Sequence, residues 1–177
     1  KVIAQRKATD EWDSGSKAER DAAYEAQRAG FQKAGTEWWN AVNSLDPGAV
    51  NKWFAGEEDD AAAWRTTTLP VPWSKDPELA NFDGVVWYRR SVEIPAEWAG
   101  KECFLDLGAI DDADVAFFNG RAIANTIADW QTPRHYRIPA SMVKAGPALL
   151  ALEVLDLNGE GGTMSGADAM KLTCPAA

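Results

Sequence analysis

Histidine is almost missing from this sequence: His135 is the only one. A zinc or iron site built on imidazoles needs two or three, so that chemistry is excluded. Cysteine is nearly as scarce. Cys103 and Cys174 are 174 − 103 = 71 positions apart, which matches no CxxC metal or redox spacing. The two can form one disulfide in an oxidising compartment. Equally, Cys103 shares its parity with Leu105 and Leu107 and reads as a buried free thiol acting as a small hydrophobe. Basic charge is in short supply, with 18 Lys+Arg against 27 Asp+Glu and a formal net charge of −9. A phosphate backbone needs a basic face, and so does an anionic membrane surface. Neither nucleic acid nor membrane is therefore an expected partner. No apolar run approaches the roughly 20 residues that span a bilayer. No signal peptide shows at the start, and the sequence opens on Lys1 instead of Met. The expectation is a fragment, processed or cut from a longer protein. No cofactor is called for by any motif.

What is present divides into two textures. Residues 1–60 read as a helical lead-in. Ser16-x-x-Glu19 is a capping box, and Tyr24, Phe31 and Trp38 recur every seven residues on one helical stripe. Gly30 and Gly35 weaken that helix, so a kink or break near Gly35 is expected. Asp46-Pro47 reads as an N-cap followed by proline at the first helical position, opening a short helix with Val50, Trp53 and Phe54. The run Glu57–Asp60 reads as an exposed connector. Acid is in excess in both parts, 12 Asp+Glu against 8 Lys+Arg in residues 1–60 and 15 against 10 thereafter. It therefore marks a generally acidic surface instead of one patch.

Residues 61–177 read as a β-sandwich. Short Val-, Ile-, Phe-, Trp- and Thr-rich runs are bounded by Gly, Pro, Asn and Asp. The expected strands are Arg65–Leu69, Val85–Ile94, Glu102–Leu107, Asp114–Phe118, Arg121–Asn125, Arg134–Ile138, Leu149–Leu157 and Met170–Thr173. Asn119-Gly120 between two of them is a hairpin signal. Short strands at even spacing without long helices between them point to a mainly β jelly roll.

Four motifs then carry a resemblance. Asp83-Gly84-Val85-Val86-Trp87-Tyr88-Arg89-Arg90 with Ile94-Pro95 resembles the "DGvvWyRr…iP" segment of sialate O-acetylesterase-like proteins. Leu107–Asp114 with Phe118-Asn119-Gly120 resembles their "LGaIDDaD…fNG", Arg134–Pro139 their "RxYrIP", and Asp156 with Gly159, Gly161 and Gly162 their "D…GxGG". The motifs occur in order over about Trp64 to Leu172. The galactose-binding-like jelly rolls of family 2 glycoside hydrolases share parts of them. The resemblance implies a jelly-roll insert within an SGNH-type hydrolase, preceded by a helical lead-in. It also implies a periplasmic or extracellular location and a partner in the hydrolase domain of the same parent.

The catalytic blocks of such a hydrolase are missing. There is no Gly-Asp-Ser, no Gly-x-Asn-Asp and no Asp-x-x-His, since Thr132 stands three residues before His135. Gly162-Thr163-Met164-Ser165-Gly166 has the wrong spacing for a nucleophile elbow, and a serine without a base is not activated. No catalytic residue is assigned. The first hypothesis is a non-catalytic module that buttresses the hydrolase domain and shapes its sugar-ester cleft. The second is an autonomous carbohydrate-binding module. An enzyme working through acidic residues ranks last, for want of an acid/base pair.

The candidate carbohydrate-binding or cleft-facing residues are Trp130, Arg134, Tyr136, Asp156, Gly161 and Gly162. Trp130 lies in a loop where a ring can stack on a sugar, whereas Trp87, mid-strand, is expected in the core. Arg134, with Tyr136 and Arg137, offers bidentate hydrogen bonding to a carboxylate, or pairs with a nearby Asp. Asp156 has inward parity beside glycines that admit close backbone approach. Asp111, Asp112 and Asp114 cluster in one turn as weak candidates for a metal such as Ca²⁺. Hydrogen bonding to turn amides is the expectation there, because no EF-hand-like ligand spacing follows.

Overall fold

The computed structural model describes residues 17–56 and 64–175. The chain falls into two compact units, Lys1–Asn43 and Ser44–Ala177. Helix α1 (Lys17–Leu45), most of it in the first unit, runs through Gly30 and Gly35 without the expected break. Propagating a formed helix costs little, and a single glycine adds only about 1 kcal/mol to that. The side chains of Tyr24 and Phe31, the capping box at Ser16 and the acidic run 57–60 lie outside the described residues.

The second unit begins at Ser44, and its first residues are tied to the sheet. Asp46 caps helix α2 (Pro47–Val50), its Oδ1 accepting from the Ala49 amide at 2.8 Å. The same oxygen accepts from the Trp87 indole N–H at 2.8 Å. Gly48 presses so closely on Trp87 that a Cβ there would lie 2.2 Å from its Nε1. Phe54 stacks on Phe117 at 4.5 Å and 10°. Residues 44–56 therefore cover a sheet face that would otherwise expose its aromatics.

That sheet has the order β1-β6-β3-β4, formed by β1 (Gly84–Ile94), β6 (Gly146–Asp156), β3 (Ala113–Phe118) and β4 (Arg121–Ile127). The second sheet has the order β5-β2-β7, from β5 (Arg134–Ile138), β2 (Cys103–Gly108) and β7 (Lys171–Thr173). All pairings are antiparallel. Two facing antiparallel sheets with these crossovers make a mainly β jelly roll. Between them Trp73, Phe118, Ile110, Ile138, Leu152 and Val154 form the core. Burying each such side chain contributes about 1.5–3 kcal/mol.

Seven of the eight expected strands are present. The exception, 65–69, forms no strand and bends at Leu69 just before Pro70. Arg65 there instead grips both Asp76 carboxylate oxygens, at 3.0 and 2.6 Å. Asn119 and Gly120 turn the β3–β4 hairpin with φ of 47° and 76°, which these two residue types tolerate best. β6 is buried on both faces from Ala151 to Asp156. Leu152 and Val154 face the core, while Glu153 on the opposite face pairs with Trp87 and Val115 under the 44–56 segment. Burial, and after it the Asp46 charge, pushes the Glu153 carboxyl up to about 8.

The pairing of Phe104 with Thr173 places Cys103 next to Cys174 across β2 and β7. Both are free thiols. Burial, followed by the neighbouring Cys174, pushes the Cys103 thiol up to about 12.

Candidate functional site

Three loops meet at one end of the sandwich. The turn before β3, residues 109–112, holds the 156–164 loop through Asp111 N to Gly162 O at 3.0 Å and Met164 N to Ala109 O at 2.9 Å. The β4–β5 loop joins them through Asp129 N to Asp112 O at 3.3 Å. Asp112 adopts a left-handed backbone, with φ of 28°, a region Asp enters more readily than most residues. Its Oδ2 accepts from the Leu157 amide at 2.8 Å. One residue thus ties all three loops.

Asp111, Asp112 and Asp156 converge here, and one oxygen from each lies within 4.8 Å of the others. Asp156 Oδ1 accepts from the Asn158 amide at 2.9 Å. Burial, then the charges of Asp112 and Asp156, pushes the Asp111 carboxyl up to about 7. Burial is also the main cause of the rise at Asp156, to which Asp112 and Asp83 add. The cluster is therefore acidic and largely desolvated, the setting in which carboxylates are most perturbed.

Asp114 does not belong to it. At 0% exposure it points into the sandwich. Arg134 Nε donates to its Oδ1 at 2.7 Å and the Tyr136 hydroxyl to its Oδ2 at 2.6 Å. The remaining Arg134 nitrogens donate to Thr132 O at 2.5 Å and Ile110 O at 2.7 Å. Thr126 Oγ1 bonds the Tyr136 hydroxyl at 2.8 Å. Burial raises Asp114, against the lowering bonds from Tyr136 and Arg134. Arg134, for which a sugar contact and pairing with a nearby Asp were both open, is paired with Asp114, and it and Tyr136 are buried with their donors committed internally. They brace the interior and hold the 109–112 turn through Ile110.

Gly161 and Gly162 are also buried, and they make room for Trp73. A Cβ at Gly161 would lie 2.1 Å from the Trp73 ring and 2.7 Å from Asp156 Oδ2, and one at Gly162 would lie 2.6 Å from the ring. Trp73 is fixed further by its amide to Gly161 O at 2.8 Å and its indole N–H to the Tyr88 hydroxyl at 2.7 Å. The two glycines thus serve the interior; the cleft expected of them is not formed by their own surface.

Trp130 does stand out, 57% exposed. Its loop is firm because Asp129 Oδ1 accepts from the amides of Gln131 and Thr132 at 3.0 and 2.9 Å. Leu157 and Phe82 are exposed as well. Leu157 directly follows Asp156, and Phe82 packs at Gly84, the register partner of Asp156. The acidic end accordingly carries an apolar rim, of which sequence reasoning found Trp130 but not Leu157 and Phe82. The long-range pairing of Gly84 with Asp156 is what assembles it. His135 is elsewhere, on the exposed face of β5. Its Nδ1 bonds Asp106 at 2.5 Å and its ring stacks on Phe104 at 4.8 Å. Among the described residues no serine completes a triad with it.

No protein-family model matches the chain, and no curated protein matches it. Solved structures do share its fold. A beta-glucuronidase of Bacteroides uniformis superposes with a TM-score of 0.52 at 24% identity, covering 62% of this chain and 15% of its own. One from Ruminococcus gnavus gives 0.53 at 20% identity over 64% and 18%. A glycosyl hydrolase family 2 member from Bacteroides cellulosilyticus gives 0.52 at 23% identity over 62% and 17%. The chain thus spans less than a fifth of the length of each of these proteins, and the likeness is one of fold.

Proposed function

We propose that this chain is a non-catalytic jelly-roll module of a larger carbohydrate-active hydrolase, with a sialate O-acetylesterase-like parent. The observation that carries the reading is the rimmed end of the sandwich. Trp130, Leu157 and Phe82 stand exposed over loops that Asp112 ties together. Exposed apolar groups on a rigid base suit a contact with a neighbouring domain. In this reading the end face bears on the hydrolase domain and forms one wall of its sugar-ester cleft. Acetyl transfer to water then proceeds through a serine and histidine outside this chain. The four ordered sequence motifs support the esterase parentage. The occurrence of the same fold as a small part of long glycoside hydrolases supports the modular role. A periplasmic or extracellular location belongs to the same proposal.

The test is turnover by the chain alone. Residues 1–177 release no acetate from O-acetylated sialosides or from 4-nitrophenyl acetate above the buffer rate. Hydrolysis that a serine substitution abolishes would overturn the reading.

Trp130 favours a second reading, an autonomous carbohydrate-binding module. An exposed ring on a capped loop beside carboxylates suits a pyranose, with C–H groups on the ring and hydroxyls on the acids. Calorimetric titration with sialosides, xylo-oligosaccharides and galacto-oligosaccharides separates the two. Binding lost in Trp130→Ala supports the second; no heat at millimolar ligand counts against it.

A further inference from the structure

The acidic end holds a group that the module reading leaves unused. Asp111 is 9% exposed and Asp156 2%. Asp111 Oδ2 is enclosed and meets no hydrogen-bond donor. The rest of the carboxyl faces Asp112 and Asp156: the Asp112 amide bonds it, Asp156 shares a hydrogen bond with it, both add their charge, and Asp83 acts in turn on Asp156. Arg134 comes near through its bond to Ile110 O, but its charge is matched by Asp114. A buried oxygen of this kind, in a cluster with two further carboxylates, lacks a positive partner.

The spacing admits a divalent cation. No two of the three ligand oxygens are farther apart than 4.8 Å, within the span of oxygens bonded to Ca²⁺ at about 2.4 Å, and a flexible, all-oxygen set of carboxylates suits Ca²⁺ better than Mg²⁺, which demands near-ideal octahedral geometry. The amide bonds to Asp112 Oδ2 and Asp156 Oδ1 hold these side chains while leaving each a second oxygen. Ca²⁺ completes its shell of 6–8 oxygens with water or carbonyls.

We propose that Asp111, Asp112 and Asp156 form a Ca²⁺ site that fastens the turn before β3 to the end of β6. The ion neutralises the cluster and holds in place the loops that carry Leu157 and, through Asp129, Trp130. The site stands independently of the module reading, because it follows from side chains within this one unit.

The experiment uses residues 1–177 stripped with EDTA and dialysed into chelated buffer at pH 7.5. CaCl₂ at 5 mM raises Tm by at least 5 °C, on the order expected for a ligand well above its Kd. The same concentration of MgCl₂ gives less than half of that. Tb³⁺ gains tryptophan-sensitised luminescence, since the Trp73 ring packs beside Asp156, and Ca²⁺ displaces it. Asp111→Asn and Asp112→Asn each abolish the Ca²⁺ shift and the Tb³⁺ signal; Asp112 is the less buried, so its variant keeps the comparison valid if the other folds poorly. Tm unmoved by 10 mM CaCl₂ with no Tb³⁺ signal would overturn the site. So would a Ca²⁺ shift that survives both substitutions. Indifference to Ca²⁺ together with a higher metal-free Tm in Asp111→Asn would show carboxyls sharing a proton instead, and would also overturn it.

Discussion

Replacing Arg134 with methionine separates a structural arginine from a ligand-binding one. The guanidinium is 1% exposed and bonds Asp114, Thr132 O and Ile110 O. Methionine fills most of its volume but leaves the fully enclosed Asp114 without its cation. Breaking one side of a buried ion pair costs about 3–5 kcal/mol. For a unit of this size, about 3–5 °C per kcal/mol gives a fall in Tm of about 10–20 °C. Pairing the change with Asp114→Asn removes the stranded charge and keeps an acceptor for Tyr136, so the double variant recovers at least half of the loss. The deficit of the single variant also shrinks on acidification. Without Arg134, Asp114 loses a bond that lowers it and titrates higher still; once protonated, it no longer buries a charge. Thermal melts of the two single variants and the double at pH 5 and 8 provide the check. A single-variant Tm within 2 °C of the parent, with sugar affinity lost, would refute the interior role assigned to Arg134.

Glu153→Gln tests the buried acid beneath the 44–56 segment. The unfolded carboxyl titrates near 4.5 and the folded one near 8, so between those values the folded protein holds the extra proton and stability falls as pH rises. The variant's gain in urea stability over the parent is therefore larger at pH 9 than at pH 5, and a gain independent of pH would contradict the assignment. Gly161→Ala drives a methyl into the Trp73 ring and costs about 3 kcal/mol, at the upper end of overpacking penalties. Near-UV circular dichroism and urea melts read this, and unchanged stability would refute the close approach. Mild oxidation joins Cys103 to Cys174, neighbours across β2 and β7, so the titratable thiols fall from two to none without dimer formation. Retention of both thiols, or a disulfide-linked dimer, would contradict that pairing.

Much of the fold was legible because it is local. The alternation in Arg134–Ile138 marks a strand with the observed bounds, and Asn119-Gly120 marks its hairpin through backbone preference alone. Asp46-Pro47 announces its helix for the same reason. The site was less legible, since it is made by register between distant segments. Nothing near Asp156 says that pairing of β6 with β3 sets it beside Asp112, or that Asp114, two residues along, turns inward to Arg134. One signal did lie in the sequence. Arg134, Tyr136 and Ile138 share a parity, and Ile138 is a core residue, so the arginine and the tyrosine on its face belonged inside. The tie between Asp46 and Trp87 was not legible either, because the two are 41 positions apart. Likewise, Trp73 lies far from the glycines that accommodate it.

The modular role itself is tested most directly by sequencing the native polypeptide that contains residues 1–177. The account predicts a hydrolase domain in the same chain, with a Gly-Asp-Ser block before this segment and an Asp-x-x-His block after it. A glycosidase domain in their place would contradict the esterase parentage alone. A mature polypeptide with no hydrolase domain on either side would contradict the central claim.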